Sequence, residues 1–275
     1  MLKSKTLNIK QKDDLVYIQF PKLENCGIVN HIFSTRHGGV SEGDCSSMNL
    51  SFNRGDPRSN VLKNYEILCS AVDINPKNLV LTKQTHTNNV LTVTKEHIGT
   101  GITLPEFSDI DGLITNQEGV ALVTQYADCT PLLFCDPVRK VIATSHAGWR
   151  GTVKLIGKVT VEKMVEEFGC NPKDITVGIG PCIRDCCYEV DEPVAKEFRA
   201  IKFLDLSKIL FPKENGRYML NLVEANRQIL INSGISPDNI DASDICTCCN
   251  SGDLHSHRAT NGKRGNLAAI IELKK

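Results

Sequence analysis

The stretch ADCTPLLFCDPVRKVIATSHAGWRGT (127–152) carries Cys129 and His146 with sixteen residues between them. A thiolate and an imidazole can share a borderline-soft metal ion, and as a pair they also serve as nucleophile and base. Their spacing matches no short metal-binding or catalytic motif, so they act together only if the chain folds back between them. Asp136-Pro137-Val138-Arg139 suits a type I turn, with Asp at the first position and Pro at the second. If that turn directly closes a hairpin of LLFCD (132–136) and VIATS (141–145), Asp136 faces Arg139 and Cys129 faces His146. Opposed residues share a face with Cβ atoms about 4.5–5.5 Å apart, close enough for one metal ion. Two features oppose this. Two-residue hairpins prefer primed turns, and a one-residue slip would separate the pair onto opposite faces. Pro131 also has no N–H and can end the ladder before Cys129. The competing interpretation is a buried cysteine beside a hydrogen-bonded histidine.

Past His146 the chain reads Ala-Gly-Trp-Arg-Gly-Thr and enters a helix. A glycine-flanked helix start presents free N–H groups and the positive end of the dipole, and Arg150 adds a forked donor. This is either an anion pocket beside the proposed metal or a plain N-cap by Thr152. Asp128 is either a general base, a partner orienting a metal-binding histidine, or a turn-forming carboxylate. A catalytic zinc site normally has three protein ligands and one open position. His86, in LTKQTHTNNV between two strand candidates, could reach such a pocket, and His37 in a glycine-rich loop could contact substrate.

The elements that must position these residues are strands interleaved with helices. Strands are predicted at 15–20, 28–35, 78–84, 88–94, 111–116, 119–127, 132–136, 141–145, 175–180 and 266–273 from β-branched and aromatic content. Helices are predicted at 57–72, with Val61, Leu62, Tyr65, Leu68 and Cys69 on one face, at 152–168 stopped by Gly169, and at 191–200 and 221–233. The polar stretch 36–56 is longer than the usual limit of about 12–15 residues for a loop, which marks it as functional or disordered. No repeat or linker interrupts the chain. The pattern implies one α/β (α+β) domain over 1–275 with a mixed sheet, behind a loosely ordered stretch at 1–13.

The 275 residues hold 32 basic and 32 acidic side chains, so no global field points to nucleic acid or a membrane surface. No signal-peptide-like start and no apolar run of membrane-spanning length is present, which sets a cytoplasmic location as the expectation. Nothing marks an interface, so a monomer or weak homodimer is expected. The twelve cysteines are then expected as reduced thiols, mostly small buried hydrophobes. A non-enzymatic alternative is a structural zinc in the tail at Cys246, Cys248, Cys249, His255 and His257, whose spacing fits no usual knuckle. Cys182, Cys186 and Cys187 form a second, weaker cluster.

FSTRHGGVS (33–41), NLS (49–51), KQTHTNNV (83–90), DGLITN (111–116), ADCTPLLF (127–134), SHAGWRGT (145–152), IGPCI (179–183), YEV (188–190), NLVEAN (221–226) and CT (246–247) occur in a characteristic order. Together they resemble the laccase-domain or multicopper polyphenol oxidase family, now described as zinc-dependent purine nucleoside phosphorylases and, for some bacterial members, peptidoglycan editing factors. The resemblance implies a layered α/β/β/α sandwich and a zinc site of His86, Cys129 and His146. It implies phosphorolysis of adenosine, inosine and S-methyl-5′-thioadenosine, with deamination of adenosine at the same site. Arg36, Asn49 and Gln84, in the matching motifs, become candidates with Arg150 for holding ribose or phosphate. The chain departs from the family pattern in its tail, where Ser256-His257-Arg258-Ala259 and Arg264-Gly265-Asn266 each lack a second arginine, so no role is assigned there.

Two other enzyme classes compete. A copper-dependent phenol oxidase needs several coppers and many His-x-His pairs, whereas seven histidines and one such pair, His255–Ser256–His257, occur here. A bound Cu2+ in place of zinc would still suit an N/S site. A Cys-His hydrolase or amidase acting on peptidoglycan precursors would use Cys129 as nucleophile and His146 as base.

Overall fold

In the computed structural model, which describes residues 2–274, strands and helices form the expected mixed α/β arrangement in α/β/β/α layers. The first six-stranded sheet runs Asn8–Lys12, Leu15–Gln19, Val29–Ser34, Leu267–Leu273, Ala121–Tyr126 and Leu79–Val80. The second runs Ile240–Ala242, Thr176–Ile179, Thr130–Asp136, Val141–Ala147, Gly112–Thr115 and Val90–Thr92. The C-terminal strand thus inserts between segments far apart in sequence, and only three of these pairings are parallel.

Strand side chains alternate faces, and here both faces of each sheet are covered. In Leu267–Leu273, Ala268 and Ile270 pack with Val61, Tyr65, Leu68 and Cys69 of the helix Arg58–Ser70. Leu267, Ala269 and Ile271 turn inward to meet Leu113, Leu133, Cys135 and Ile142 of the second sheet. The opposite face of that sheet, with Leu132, Phe134, Val141 and Ala143, packs under the helices Ile156–Phe168 and Leu222–Asn232. That double burial explains why the strands read as continuous apolar runs.

Several expectations are corrected. Residues 8–12, expected loose, pair antiparallel with 15–19, where Ile9 meets Ile18. The predicted strand 78–84 is split: Leu79–Val80 joins the first sheet and Thr82–Lys83 pairs separately with Phe107–Ser108. On the helix Arg58–Ser70, Asn64 takes a buried position and Leu62 only a partly buried one. Asn64 is tolerated inside because its amide donates to Ser41 Oγ and Asn49 O and accepts from Val40 N. The helix predicted from 152 is two helices, Trp149–Val153 and Ile156–Phe168, broken where Leu155 turns left-handed at φ 60°. Gly169 stops the second one at φ 65°, as expected.

The central hairpin also has a different turn. Asp136 faces Val141, not Arg139, leaving a four-residue loop with Lys140 left-handed at φ 52°. Asp136 Oδ1 accepts the N–H groups of Val138 and Arg139, 2.9 Å each, an Asx-type closure that the unprimed Asp-Pro sequence favours. His146 therefore lies opposite Pro131, and Cys129, one residue outside the strand, is diagonal to it. The shift is two residues, so Cys129 and His146 still share a face.

Gly178 faces the inter-sheet layer, where a Cβ would lie 2.6 Å from the Phe20 ring. Phe20 is fully buried and cannot retreat. Gly178→Ala is expected to lower stability by about 1–3 kcal/mol, read from the urea midpoint. An unchanged midpoint would show that the layer is loosely packed there.

Candidate active site

His146 lies near the end of its strand on the inter-sheet face, beside the buried Tyr126 ring at 5.5 Å. Cys129 precedes the neighbouring strand, and Asp128 takes φ 86° just before it. His86 sits in the turn between Thr82–Lys83 and Val90–Thr92 with φ 66°, a conformation uncommon for a side chain with a Cβ. One ligand atom from each of His86, Cys129 and His146 lies within 4.8 Å of the others. Cys129 Sγ is 3.7 Å from His86 Nε2, and the two imidazoles meet edge-on at 4.9 Å.

Asp111 organises both histidines. Its Oδ1 is 2.8 Å from His146 Nδ1, which leaves Nε2 as the nitrogen for a ligand role. The same carboxylate accepts the backbone N–H groups of Thr85 at 3.1 Å, His86 at 3.0 Å and Thr87 at 2.8 Å, and the Thr87 hydroxyl at 2.9 Å. Three successive N–H groups converging on one anion form a nest, and this holds His86 in its left-handed conformation. Asp111 is fully buried. Burial pushes its pKa up, but His146 and Thr87 outweigh this and hold the carboxyl at about 2.

The neighbours tune one another. Burial raises the Cys129 thiol, yet His146 and His86 bring it down to about 6. Burial disfavours the His146 cation, yet Cys129 and Asp111 push that group up to about 9. Cys129 and His146 thus each favour the other's charged form, thiolate with imidazolium. At neutral pH the sulfur is already in its ligand form.

Gly148, opposite Cys129 in the hairpin register, makes room for the trio. A Cβ there would lie 2.8 Å from Cys129 Sγ and 2.9 Å from His86 Cδ2, although its backbone at φ −64° is ordinary. Gly148 is also the N-cap of Trp149–Val153, so Thr152 does not cap this helix and instead donates to Ala147 O.

The trio lines a cavity of about 850 Å³. Arg54, Arg58, Lys83, Arg150, Arg258 and Arg264 line it against only Glu106 and Asp128, while Trp149, Ile183, Tyr188 and Leu222 supply apolar wall. Arg150 and Gln84 lie in this lining as expected, with the Arg150 guanidinium over the Trp149 ring at 4.4 Å. Gln84 Nε2 donates to Gln125 O and its Oε1 accepts from Gln125 N, so its main role is to fix a neighbouring strand.

Other expectations fail. Arg36 does not line the cavity: it donates to Ser46 O through Nε and Nη2 and to Ser251 O through Nη1, tying the 36–56 loop to the tail. Asn49 is fully buried, donating to Ser51 O and Asp56 Oδ2 and accepting from Ser51 N and Asn266 N, so nothing remains for ribose. His37 pairs with Asp253 instead of facing the cavity. Asp128 lines the cavity but orients neither histidine: its oxygens accept from Thr247 Oγ1 at 2.6 Å and Arg258 N at 2.7 Å. The carboxylate that orients a histidine is Asp111 instead. In the tail, His257, Arg258, Arg264 and Asn266 reach the cavity, although none was expected at the substrate site. His255 is buried and belongs to no metal-capable group among the described residues, and the tail cysteines Cys246 and Cys249 gather with Cys186 and Cys187, without Cys248.

Gly148→Ala is expected to leave the denaturation midpoint nearly unchanged while weakening metal retention after dialysis. Full retention would show that the crowding is relieved elsewhere. In metal-stripped protein, alkylation of Cys129, followed on its peptide by mass spectrometry, is expected to fall as pH drops through about 6. A midpoint in the ordinary thiol range, about 8.5, would contradict the thiolate.

The chain has relatives among known proteins and solved structures. Purine nucleoside phosphorylase YlmD of Bacillus subtilis (strain 168) is 37% identical over 246 residues, covering 88% of this chain and 87% of that protein. A protein named adenosine deaminase RL5, from an unknown prokaryotic organism, is 30% identical over 246 residues, covering 88% and 94%. The crystal structure of Bacillus licheniformis hypothetical protein YfiH superposes with a TM-score of 0.91 at 31% identity, covering 97% of this chain and 99% of that one. The family described as multi-copper polyphenol oxidoreductase laccase matches residues 30–274, and this chain belongs to it.

Proposed function

We propose that the protein is a zinc-dependent purine nucleoside phosphorylase acting on adenosine, inosine and S-methyl-5′-thioadenosine, and that it deaminates adenosine at the same site. The observation that carries this is the His-Cys-His group set in a cavity ringed by cationic side chains. Relatives named purine nucleoside phosphorylase and adenosine deaminase support the same substrate class. The donor set fits zinc: two imidazole nitrogens and a sulfur already ionised at neutral pH, with the cavity side open to a fourth ligand. Zinc in this position would supply Lewis-acid polarisation and lower the pKa of a water toward about 7. Copper would bind such ligands too, but among the described residues only one metal-capable group contains histidine, and multicopper oxidation needs more.

The chain's own residues then divide the work. In phosphorolysis a phosphate oxygen bonds to the ribose anomeric carbon while the bond to the purine nitrogen breaks, giving free base and ribose 1-phosphate. Arg150, Arg258 and Arg264 oppose the phosphate charge with forked donors. Arg264 is nine-tenths buried and its Nε finds no partner among the described residues, a deficit that an anion in the cavity would relieve. Trp149 and Tyr188 offer aromatic faces to a purine. In deamination, Asp128, held by Thr247 and the Arg258 N–H, would accept a proton from the water whose oxygen bonds to C6 of adenine as the C6–N bond breaks and ammonia leaves. His146, held by Asp111, keeps its ligand nitrogen turned from the carboxylate.

A second interpretation has a specific observation behind it. The order Asp111, His146, Cys129 is also that of a carboxylate-oriented base and its thiolate nucleophile, the arrangement of a Cys-His hydrolase. Metal-analysed protein incubated with adenosine separates the two. Purine plus ribose 1-phosphate with phosphate present, and inosine without it, is the expected result. No product from zinc-loaded protein, together with covalent trapping of Cys129 in zinc-free active protein, would favour the hydrolase. Arg150→Ala is expected to raise the KM for phosphate by about tenfold or more, with a smaller change for nucleoside, on a charged-contact loss of about 1.5–3 kcal/mol. Equal changes in both would remove Arg150 from the phosphate site.

A further inference from the structure

A second group of metal-capable side chains lies outside the histidine site. Cys186, Cys187, Cys246 and Cys249 bring their sulfurs within 4.8 Å of one another. Cys249 Sγ is 3.4 Å from Cys186 Sγ and 3.3 Å from Cys187 Sγ. Four sulfurs at about 2.3 Å from one tetrahedral zinc would stand about 3.8 Å apart, a few tenths of an ångström beyond the two closest separations and inside the 4.8 Å limit that holds for the whole group. Cys246 and Cys249 have the C-x2-C spacing of a zinc knuckle, and a vicinal pair completes the set.

Packing does not account for this gathering. Cys186 and Cys249 are exposed, so they are not buried hydrophobes. A single disulfide does not account for it either, since Cys249 touches both Cys186 and Cys187 and joining one would leave the other and Cys246 unused. All four are free thiols in the structure. From these juxtaposed sulfurs we infer a structural zinc site of Cys186, Cys187, Cys246 and Cys249, distinct from the His86–Cys129–His146 group.

Its place in the fold gives it a purpose. The two cysteine-bearing loops already touch: Thr247 N donates to Cys182 O, and Arg184 Nη1 donates to Ser243 O at 2.7 Å. They lead directly into the cavity wall, one to Tyr188 and the other to His257 and Arg258. Arg258 in turn donates to Cys187 O and Glu189 O. A metal bound by residues about sixty positions apart in sequence would staple that wall and add its binding free energy to the folded state. Binding releases the protons of the four thiols and leaves every sulfur at its ordinary oxidation state.

The test counts zinc per chain in protein purified and kept under reductant. Wild type is expected to hold two equivalents, Cys186→Ser/Cys249→Ser one, and Cys129→Ala/His146→Ala one. Zinc-edge X-ray absorption of the Cys129→Ala/His146→Ala protein is expected to show a shell of four sulfurs, and this result stands even if the serine variant misfolds. The inference is overturned by a serine variant that binds as much zinc as wild type, by a shell containing nitrogen or oxygen, or by a metal-free disulfide from Cys249 in the reduced preparation. Because neither zinc count nor sulfur shell involves nucleosides, the result is independent of the activity proposed above.

Discussion

The Asp111 carboxylate accepts the His146 ring and the three backbone N–H groups around His86, so a single buried charge sets the position of both imidazoles. An uncompensated carboxylate in that place would be costly, and here it is compensated on every side. Its own backbone carbonyl also accepts His146 N at 2.7 Å, which locks the strand Val141–Ala147 to the residue just ahead of Gly112–Thr115. Side chain and main chain of one residue therefore couple the register of the second sheet to the aim of the histidines. A site fixed in this manner needs little reorganisation when a metal or substrate enters.

The rest of the architecture follows from where that residue sits. The two sheets bury an apolar layer between them, and its end, past Tyr126 and Leu133, is where Cys129 and His146 emerge. Apolar walls keep the local dielectric low, so the pairing of thiolate, imidazole and carboxylate shifts each group strongly. Segments beyond the strand ends complete the cavity with arginines from four regions: the 36–56 loop, the start of the helix Arg58–Ser70, the helix Trp149–Val153 and the tail. Strand ends and the turn they anchor thus position the His-Cys-His group, while the surrounding segments supply charge for an anionic ligand.

Much of this was legible in the sequence, for identifiable reasons. Turn and strand chemistry at 130–147 placed Cys129 and His146 on one face despite the wrong turn, because an error of two residues preserves side-chain parity. Gly169 stopped its helix as expected. Arg36 and Asn49 misled because a cation or an amide inside a family motif suggests a ligand contact, whereas both spend their hydrogen bonds on ordering a long loop. Asp111 lay in the DGLITN motif without revealing its role, since the 111–146 contact depends on pairing between strands thirty residues apart. The cysteine pairs at 186–187 and 246–249 were visible singly, but only the parallel approach of their loops joins them.

The central claim is that His86, Cys129 and His146 hold one metal ion, oriented by Asp111. A crystal structure of zinc-loaded protein with anomalous data on both sides of the zinc edge tests it directly. The expected result is an anomalous peak bonded to His86, Cys129 Sγ and His146 Nε2, with Asp111 still on His146 Nδ1. Anomalous density absent from that position in fully loaded crystals, or an ion there that leaves Cys129 unbound, would contradict it.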